Sequence, residues 1–232
     1  MQKERVLVTG ASGFIGSNLL DYLLEKDYDV IGLSRQKNLP KIHPHLTWIR
    51  ALEELKHDRI DYVVNLAGES IAQGRWTDAR KQKLIASRVE TTTMLYQYLA
   101  KRNIQPKCII SGSAVGYYGI DPTEQWTECC NEQSAPQSIF MSELCQKWEQ
   151  SARQDTSQNT KIIRLGVVFG RGAGILPQML FPIKMNLCGR IGSGRQPVVW
   201  VHIQDVLRAI EFLMLHETTA QVFNVVSPEK VT

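Results

Sequence analysis

The chain has 232 residues, 43% of them hydrophobic and 22% charged, with a formal net charge of +4. That length supports one large domain, or one with a modest appendage, and buries roughly 70% of the unfolded surface without help from disulfides or a metal. The basic residues are scattered (the densest run is Arg80-Lys81-Gln82-Lys83), so there is no nucleic-acid footprint, and no apolar run reaches membrane-spanning length.

Residues 1–5 carry charge and lead straight into an apolar strand, so no signal peptide is expected. Five cysteines sit at irregular spacing, one left over from any pairing, with Cys129 and Cys130 adjacent. That usage fits a reducing compartment, and the cytoplasm is the expected location.

Strands are predicted at residues 6–9, 29–33, 47–50, 62–66, 107–111, 161–169, 198–203 and 222–226. Helices are predicted at 14–25, 77–101 with Thr77 or Asp78 as N-cap, 138–153, 175–187 and 204–216. Alternation of this kind gives an α/β fold, a Rossmann-type doubly wound parallel sheet with helices on both faces. One domain over residues 1–232 is expected, with about 165–232 serving the substrate side. The stretch 121–137 reads as a loop. The end of the chain reads as a strand, a turn and Thr232 placed as a helix N-cap, so a further C-terminal segment is expected and the substrate region reads as incomplete.

The first turn carries the chemistry. Gly10, Gly13 and Gly16 follow the first strand at three-residue spacing and open a helix whose apolar stripe begins at Ile15. Gly10 permits a sharp turn, Gly13 allows backbone N–H groups near a pyrophosphate, and Gly16 lets the helix press on the sheet. Ser12, Phe14 and Ile15 complete this dinucleotide-binding turn. At the end of the second strand, where an NAD-preferring site places a carboxylate, the chain has Ser34-Arg35. A guanidinium binds a 2′-phosphate through charge-assisted bonds worth roughly 1.5–3 kcal/mol each, which favours NADP(H). The alternative is an ordinary surface arginine.

With these residues in view, the chain resembles the extended short-chain dehydrogenase/reductase superfamily of NAD(P)-dependent epimerases and dehydratases. The resemblance covers essentially the whole chain and rests on Val8-Thr9-Gly10-Ala-Ser-Gly13-Phe-Ile-Gly16, Asn65-Leu66-Ala67-Gly68, Ser111-Gly112-Ser113-Ala114 and Trp200-Val201-His202-Ile203-Gln204-Asp205-Val206. More narrowly it is similar to the subgroup known as epimerase family proteins, through Asn65-Leu-Ala-Gly-Glu69, Ser87-Arg88-Val-Glu-Thr-Thr92, Ser113-Ala-Val-Gly-Tyr-Tyr-Gly119, Arg164-Leu-Gly-Val-Val168-Phe-Gly-Arg and Ile191-Gly-Ser-Gly-Arg-Gln196. Members of that subgroup usually carry a small additional C-terminal domain, absent from these residues.

The resemblance implies that Ser34 and Arg35 hold the 2′-phosphate and that Leu66, Ala67 and Gly68 line the adenine and ribose side. Glu69, Arg88 and Ser111 fall among the implied cofactor contacts, and Val168, ending the sixth strand, approaches the nicotinamide. It also implies a homodimer through helices 77–101 and 138–153. Leu66 and Val168 equally suit an apolar core, and Arg88 a surface charge.

The resemblance further implies a Ser, and a Tyr and Lys in Tyr-x-x-x-Lys spacing, the Lys lowering the phenol's pKa so that it can move a proton. Ser113 fits the Ser. The helix at 138–153 offers Ile139 and Glu143 at the matching places, so the dyad is missing. Tyr117 and Tyr118 follow Ser113 closely, and one of them supplies the proton or both pack against substrate. Glu143 reads as a helix-surface residue, His202 as a strand-end histidine bonded to backbone, and Asp205 as a helix cap. His43-Pro44-His45 has no partner cluster, so no metal is expected. Two functions remain: an NADP(H)-dependent oxidoreductase or epimerase on a small carbonyl or sugar-like substrate, and a non-catalytic NADP(H)-binding sensor or regulator.

Overall fold

The computed structural model describes residues 3–36, 39, 41–56, 59–72, 74–124, 129–171, 174–187, 189, 192–229 and 231–232. The expected loop at 121–137 and the motif starting at Ile191 therefore lie partly outside the described residues. Apolar runs at β1 (Arg5–Thr9), β2 (Asp29–Leu33), β3 (Leu46–Ile49), β4 (Tyr62–Asn65), β5 (Cys108–Ala114), β6 (Thr160–Leu165) and β9 (Val222–Val225) form one sheet in the order β3-β2-β1-β4-β5-β6-β9. Every neighbouring pair in it is parallel.

Period-two alternation sorts each strand onto two faces. Val6, Val8, Val64, Ile110 and Ile163 pack on α1 (Phe14–Glu25) and α5 (Ile203–Leu215), whose Leu19, Leu20, Leu23, Val206 and Ile210 are buried. Leu7, Val63, Ile109 and Ile162 pack on the other face with Leu95 and Leu99 of α2 (Asp78–Lys101) and Ala152 of α3 (Phe140–Ala152). Both faces are covered, which is why these strands read as continuous apolar runs. The chain leaves β1 for β2 and β3 on one side and returns to β4 on the other. The C-terminal ends of β1 and β4 thus flank the switch point where a ligand crevice forms.

Three expectations are corrected. The strand expected over 161–169 breaks at Gly166: β6 stays in the main sheet, while β7 (Val167–Phe169) pairs with β8 (Trp200–His202) in a separate two-stranded sheet. A Cβ at Gly166 would stand 2.8 Å from Val199 O, so glycine admits the crossing backbone there. Val168 accordingly lies in β7 opposite Val201, not at the end of the sixth strand. The cap of α5 is His202, whose Nδ1 accepts the Gln204 N–H at 3.3 Å; Asp205 sits in the first turn, beside Arg208 at 3.5 Å. The strand-end histidine bonded to backbone is thus what His202 is. Thr77 caps α2 as expected, accepting the Arg80 N–H. Helix α4 (Leu176–Lys184) is shorter than expected and largely exposed. Among the described residues no helix is long and apolar enough to cross a membrane.

Candidate functional site

At the switch point, the glycines each meet a steric demand. Gly10 has φ +65°, and a Cβ on it would lie 2.6 Å from Leu66 O, so the turns after β1 and β4 touch backbone to backbone. A Cβ on Gly16 would lie 2.3 Å from Gly10 O, so α1 presses directly on the turn. The N–H of Gly13 is spent inside the turn, donating to Gly10 O at 2.9 Å. Gly13 is also the N-cap of α1 and has no side chain to cap it, and no acidic residue lies in the first turn. Among the described residues the opening amides of Phe14 and Ile15 therefore have neither an intrahelical partner nor a capping one, which fits a pyrophosphate. Phe14 underlies Gly170 and Gly174, whose Cβ positions would fall 2.8 and 2.9 Å from its ring.

The glycine turn is tied to the end of β2 through Ser12 and Ser34, whose hydroxyl oxygens are 2.6 Å apart. Ser34 is buried and also accepts the Gln36 N–H. Arg35 follows, exposed, and no carboxylate pairs with it among the described residues. On the other side, Thr9 Oγ1 donates to Asn65 Oδ1 at 2.6 Å and accepts the Ala67 N–H at 3.2 Å. Asn65 Nδ2 donates onward to Thr92 Oγ1 and Ser111 Oγ, and all four polar side chains are fully buried. Ser111 is thus part of the support beneath the crevice. Leu66 packs against the α1/α5 core, as Val168 does from β7.

Beyond Gly68 the chain is clamped to α2. Glu69 pairs with Arg80 and, at 3.2 Å, with Lys83; these bonds, Arg80's first, hold its carboxyl below the usual range. Arg88 donates to Glu69 O at 2.9 Å and Leu84 O at 3.1 Å, and burial lowers its pKa. Arg88 is therefore an inward-facing residue under the Gly68–Glu69 turn.

The three candidates for chemistry meet one buried hub. Ser113 Oγ donates to Glu149 Oε1 at 2.8 Å, and Glu149 receives Arg164 through paired bonds of 2.7 and 2.8 Å. Glu149 and Arg164 are 4% and 2% exposed. Burial works against the Arg164 charge, but its bonds to Glu149 and Tyr118 outweigh that and hold its pKa above the ordinary value. Tyr118 OH accepts from Arg164 and donates to Asn224 Oδ1 at 2.7 Å. The Tyr117 ring lies under the same guanidinium, 3.4 Å from its carbon. Ser113 has one proton, and while Glu149 holds it a carbonyl cannot receive it. Of the three candidates, Tyr117 alone has a hydroxyl without a hydrogen-bond partner among the described residues.

The face of α3 that meets the turn after β5 carries Met141, Ser142 and Cys145: Ser142 Oγ donates to Gly116 O, and a Cβ on Gly116 would touch Met141 and Cys145. Burial pushes the Cys145 thiol up to about 11. Ile139 and Glu143 instead line a groove of about 580 Å³ between the starts of α2 and α3, with Glu143 paired to Lys147 at 2.7 Å. No Tyr or Lys stands at either set of positions. Among the described residues no group of three or more His, Cys, Asp or Glu is arranged to hold a metal. The sequence marks Arg164 only as part of a motif and gives no sign of Glu149 or Asn224 at this hub, although an arginine inside the apolar run of β6 demands a buried partner.

Comparison with known proteins agrees with this geometry. Residues 6–226 match the family described as NAD dependent epimerase/dehydratase. An epimerase family protein of Staphylococcus saprophyticus is 35% identical over 230 residues, 97% of this chain and 76% of that protein. Human epimerase family protein SDR39U1, solved with NADPH, superposes with a TM-score of 0.85 at 33% identity, over 98% of this chain and 75% of that one. The nucleoside-diphosphate sugar epimerase of Corynebacterium glutamicum gives a TM-score of 0.80 at 26% identity, over 100% of this chain and 48% of that one. UDP-glucuronic acid 4-epimerase of Bacillus cereus, at 20% identity and a TM-score of 0.79, shares the fold. By sequence, sheet order and glycine turn alike, the chain belongs to the NAD dependent epimerase/dehydratase family, within the extended short-chain dehydrogenase/reductase superfamily.

Proposed function

We propose that this chain binds NADP(H) and uses it as an oxidoreductase or epimerase on a small carbonyl or sugar-like substrate. The observation that carries the cofactor choice is the end of β2, where the Ser12–Ser34 hydroxyl pair is followed by exposed Arg35 and no carboxylate stands between Leu33 and Gln36. The human relative solved with NADPH supports the same choice. In this reading the amides of Phe14 and Ile15 bind the pyrophosphate, Ser34 and Arg35 bind the 2′-phosphate, and Leu66, Ala67 and Gly68 line the ribose. The bound nicotinamide supplies a hydride acceptor or donor. Tyr117 is the residue that moves the accompanying proton, since Tyr118 and Ser113 have committed theirs to Asn224 and Glu149.

The second reading, an NADP(H)-binding protein without turnover, is favoured by one observation: Glu149 holds the proton with which Ser113 would polarise a carbonyl. Cytoplasmic residence belongs to the same proposal, supported by free thiols at Cys108, Cys129, Cys130 and Cys145. So does a homodimer through α2 and α3, supported by the open groove between them. Titrating NADPH and NADH into wild type and Arg35→Ala tests the cofactor choice. Loss of one or two charge-assisted bonds, roughly 1.5–3 kcal/mol each, weakens NADPH at least tenfold and leaves NADH unchanged. Equal affinity for both cofactors in the wild type sinks it. Turnover against aldehydes, ketones and nucleotide sugars, lost in Tyr117→Phe, separates the enzyme from the binding protein.

A further inference from the structure

Between the turn after β4 and the middle of β5 lie four layers: Gly68, Arg88, Trp148 and Gly112. A Cβ on Gly68 would stand 3.0 Å from Arg88 Cζ, and a Cβ on Gly112 would stand 3.2 Å from Trp148 Cη2. Between the two glycines, the Arg88 guanidinium carbon is 5.1 Å from the centre of the Trp148 ring. The glycines thus leave room for two large side chains, with the Arg88 guanidinium over the Trp148 ring, at the edge of the crevice.

The stack is electrically and chemically incomplete. Arg88 bonds only to neutral oxygens, those of Glu69 O, Leu84 O and Ser87 Oγ, and among the described residues no carboxylate pairs with it. Trp148 is 8% exposed, and its indole Nε1–H is buried without a hydrogen-bond partner among the described residues. A half-buried cation hydrogen-bonded to neutral oxygens alone and a buried donor lacking an acceptor each leave interaction capacity unused, and together they suit an oxygen-rich, anionic ligand.

We infer that Trp148 is a positioning residue of the dinucleotide site: its ring holds Arg88 beneath the Gly68–Glu69 turn, and the oxygens of the bound dinucleotide meet the Arg88 charge and the spare indole N–H. The inference rests on the NADP(H) reading above. An indole face matches a planar guanidinium, whereas lysine at 88 would keep the charge and lose the stack. Phenylalanine at 148 keeps a face and loses the donor; leucine loses both.

NADPH titration of the full chain with Trp148→Phe, Trp148→Leu and Arg88→Lys tests this, alongside the thermal midpoint of each ligand-free variant. Trp148→Phe is expected to weaken NADPH roughly fivefold, the loss of one hydrogen bond, with its ligand-free midpoint close to wild type. Trp148→Leu and Arg88→Lys are expected to weaken it more than about tenfold, so that phenylalanine rescues part of the leucine defect. Folded Trp148→Leu binding NADPH as tightly as wild type overturns the inference. Where the leucine variant does not fold, undiminished affinity in Trp148→Phe overturns it equally. Wild type that fails to bind NADPH overturns the NADP(H) reading and this inference together, which distinguishes that failure from a defect confined to the variants.

Discussion

Replacing Glu149 by leucine strands Arg164 in the interior. The pair is 4% and 2% exposed and joined by two bonds of 2.7 and 2.8 Å, so neither charge can turn to water. Breaking a buried pair from one side costs about 3–5 kcal/mol. The two sides are not equivalent. Without Glu149, Arg164 retains only uncharged neighbours among the described residues, the oxygens of Tyr118 and Glu132 and the Tyr117 ring face, which places Glu149→Leu near the upper end. Without Arg164, Glu149 retains Arg153 at 3.2 Å and the Ser113 hydroxyl, which places Arg164→Met near the lower end. The double variant removes both charges and leaves mainly the hydroxyls of Ser113 and Tyr118 without these partners, about 1 kcal/mol each. Urea denaturation of the four proteins therefore yields a coupling energy of at least about 2 kcal/mol. For a chain of this size each kcal/mol moves Tm by roughly 2–4 °C, so Glu149→Leu melts about 10 °C or more below wild type. Additivity of the two single losses to within about 0.5 kcal/mol refutes the reasoning, because independent sites add and a shared ion pair does not.

Other outcomes follow from buried groups elsewhere. Burial pushes the Cys108 and Cys145 thiols from 9.0 to about 11, whereas Cys129 and Cys130 are exposed. Iodoacetamide at pH 8 should therefore label Cys129 and Cys130 in the native protein and reach Cys108 and Cys145 only after unfolding, read by peptide mapping; native labelling of Cys145 would contradict its placement. Because these folded-state values lie above the unfolded ones, the unfolded chain loses protons first. Stability from these thiols is complete below about pH 9 and falls as pH rises toward 11, which urea midpoints at stepped pH would record. Lys161, 2% exposed, donates to Leu213 O at 2.7 Å and His216 O at 2.6 Å, closing the end of α5. Lys161→Met leaves His216 O without this donor and Leu213 O with only the weak Cys108 thiol, and should cost about 1–3 kcal/mol; an unchanged urea midpoint would rule out that role.

Much of the architecture was legible because its causes are local. The apolar runs at Val6–Val8 and Tyr62–Val64 need both sheet faces covered, and the glycines at 10, 13 and 16 are spaced for one purpose. What escaped depends on contacts distant along the chain. Nothing near Gly166 announces Val199, the carbonyl it must admit. Asp205 is the better cap by residue type, yet β8 runs far enough to put His202 at the cap position. Glu149 reads as a helix-surface glutamate until β6 brings Arg164 beneath it, and Trp148 as ordinary core until Arg88 arrives from α2. The placement of the glycine turn and of Ser34 and Arg35 beside the crevice was readable for the same reason as the fold, since each lies within a few positions of a strand end.

Gly10 meets Leu66 O too closely for any side chain, and Thr9 Oγ1 holds the Ala67 amide, so the two sides of the crevice are joined before any ligand arrives. Their conformational entropy is surrendered during folding, and little of it is left to lose on association. Affinity differences among dinucleotides at this site should then reflect the groups each one carries, such as the 2′-phosphate, and not the amount of chain each must order. The free and bound backbones around Gly10 and Leu66 are accordingly expected to superpose.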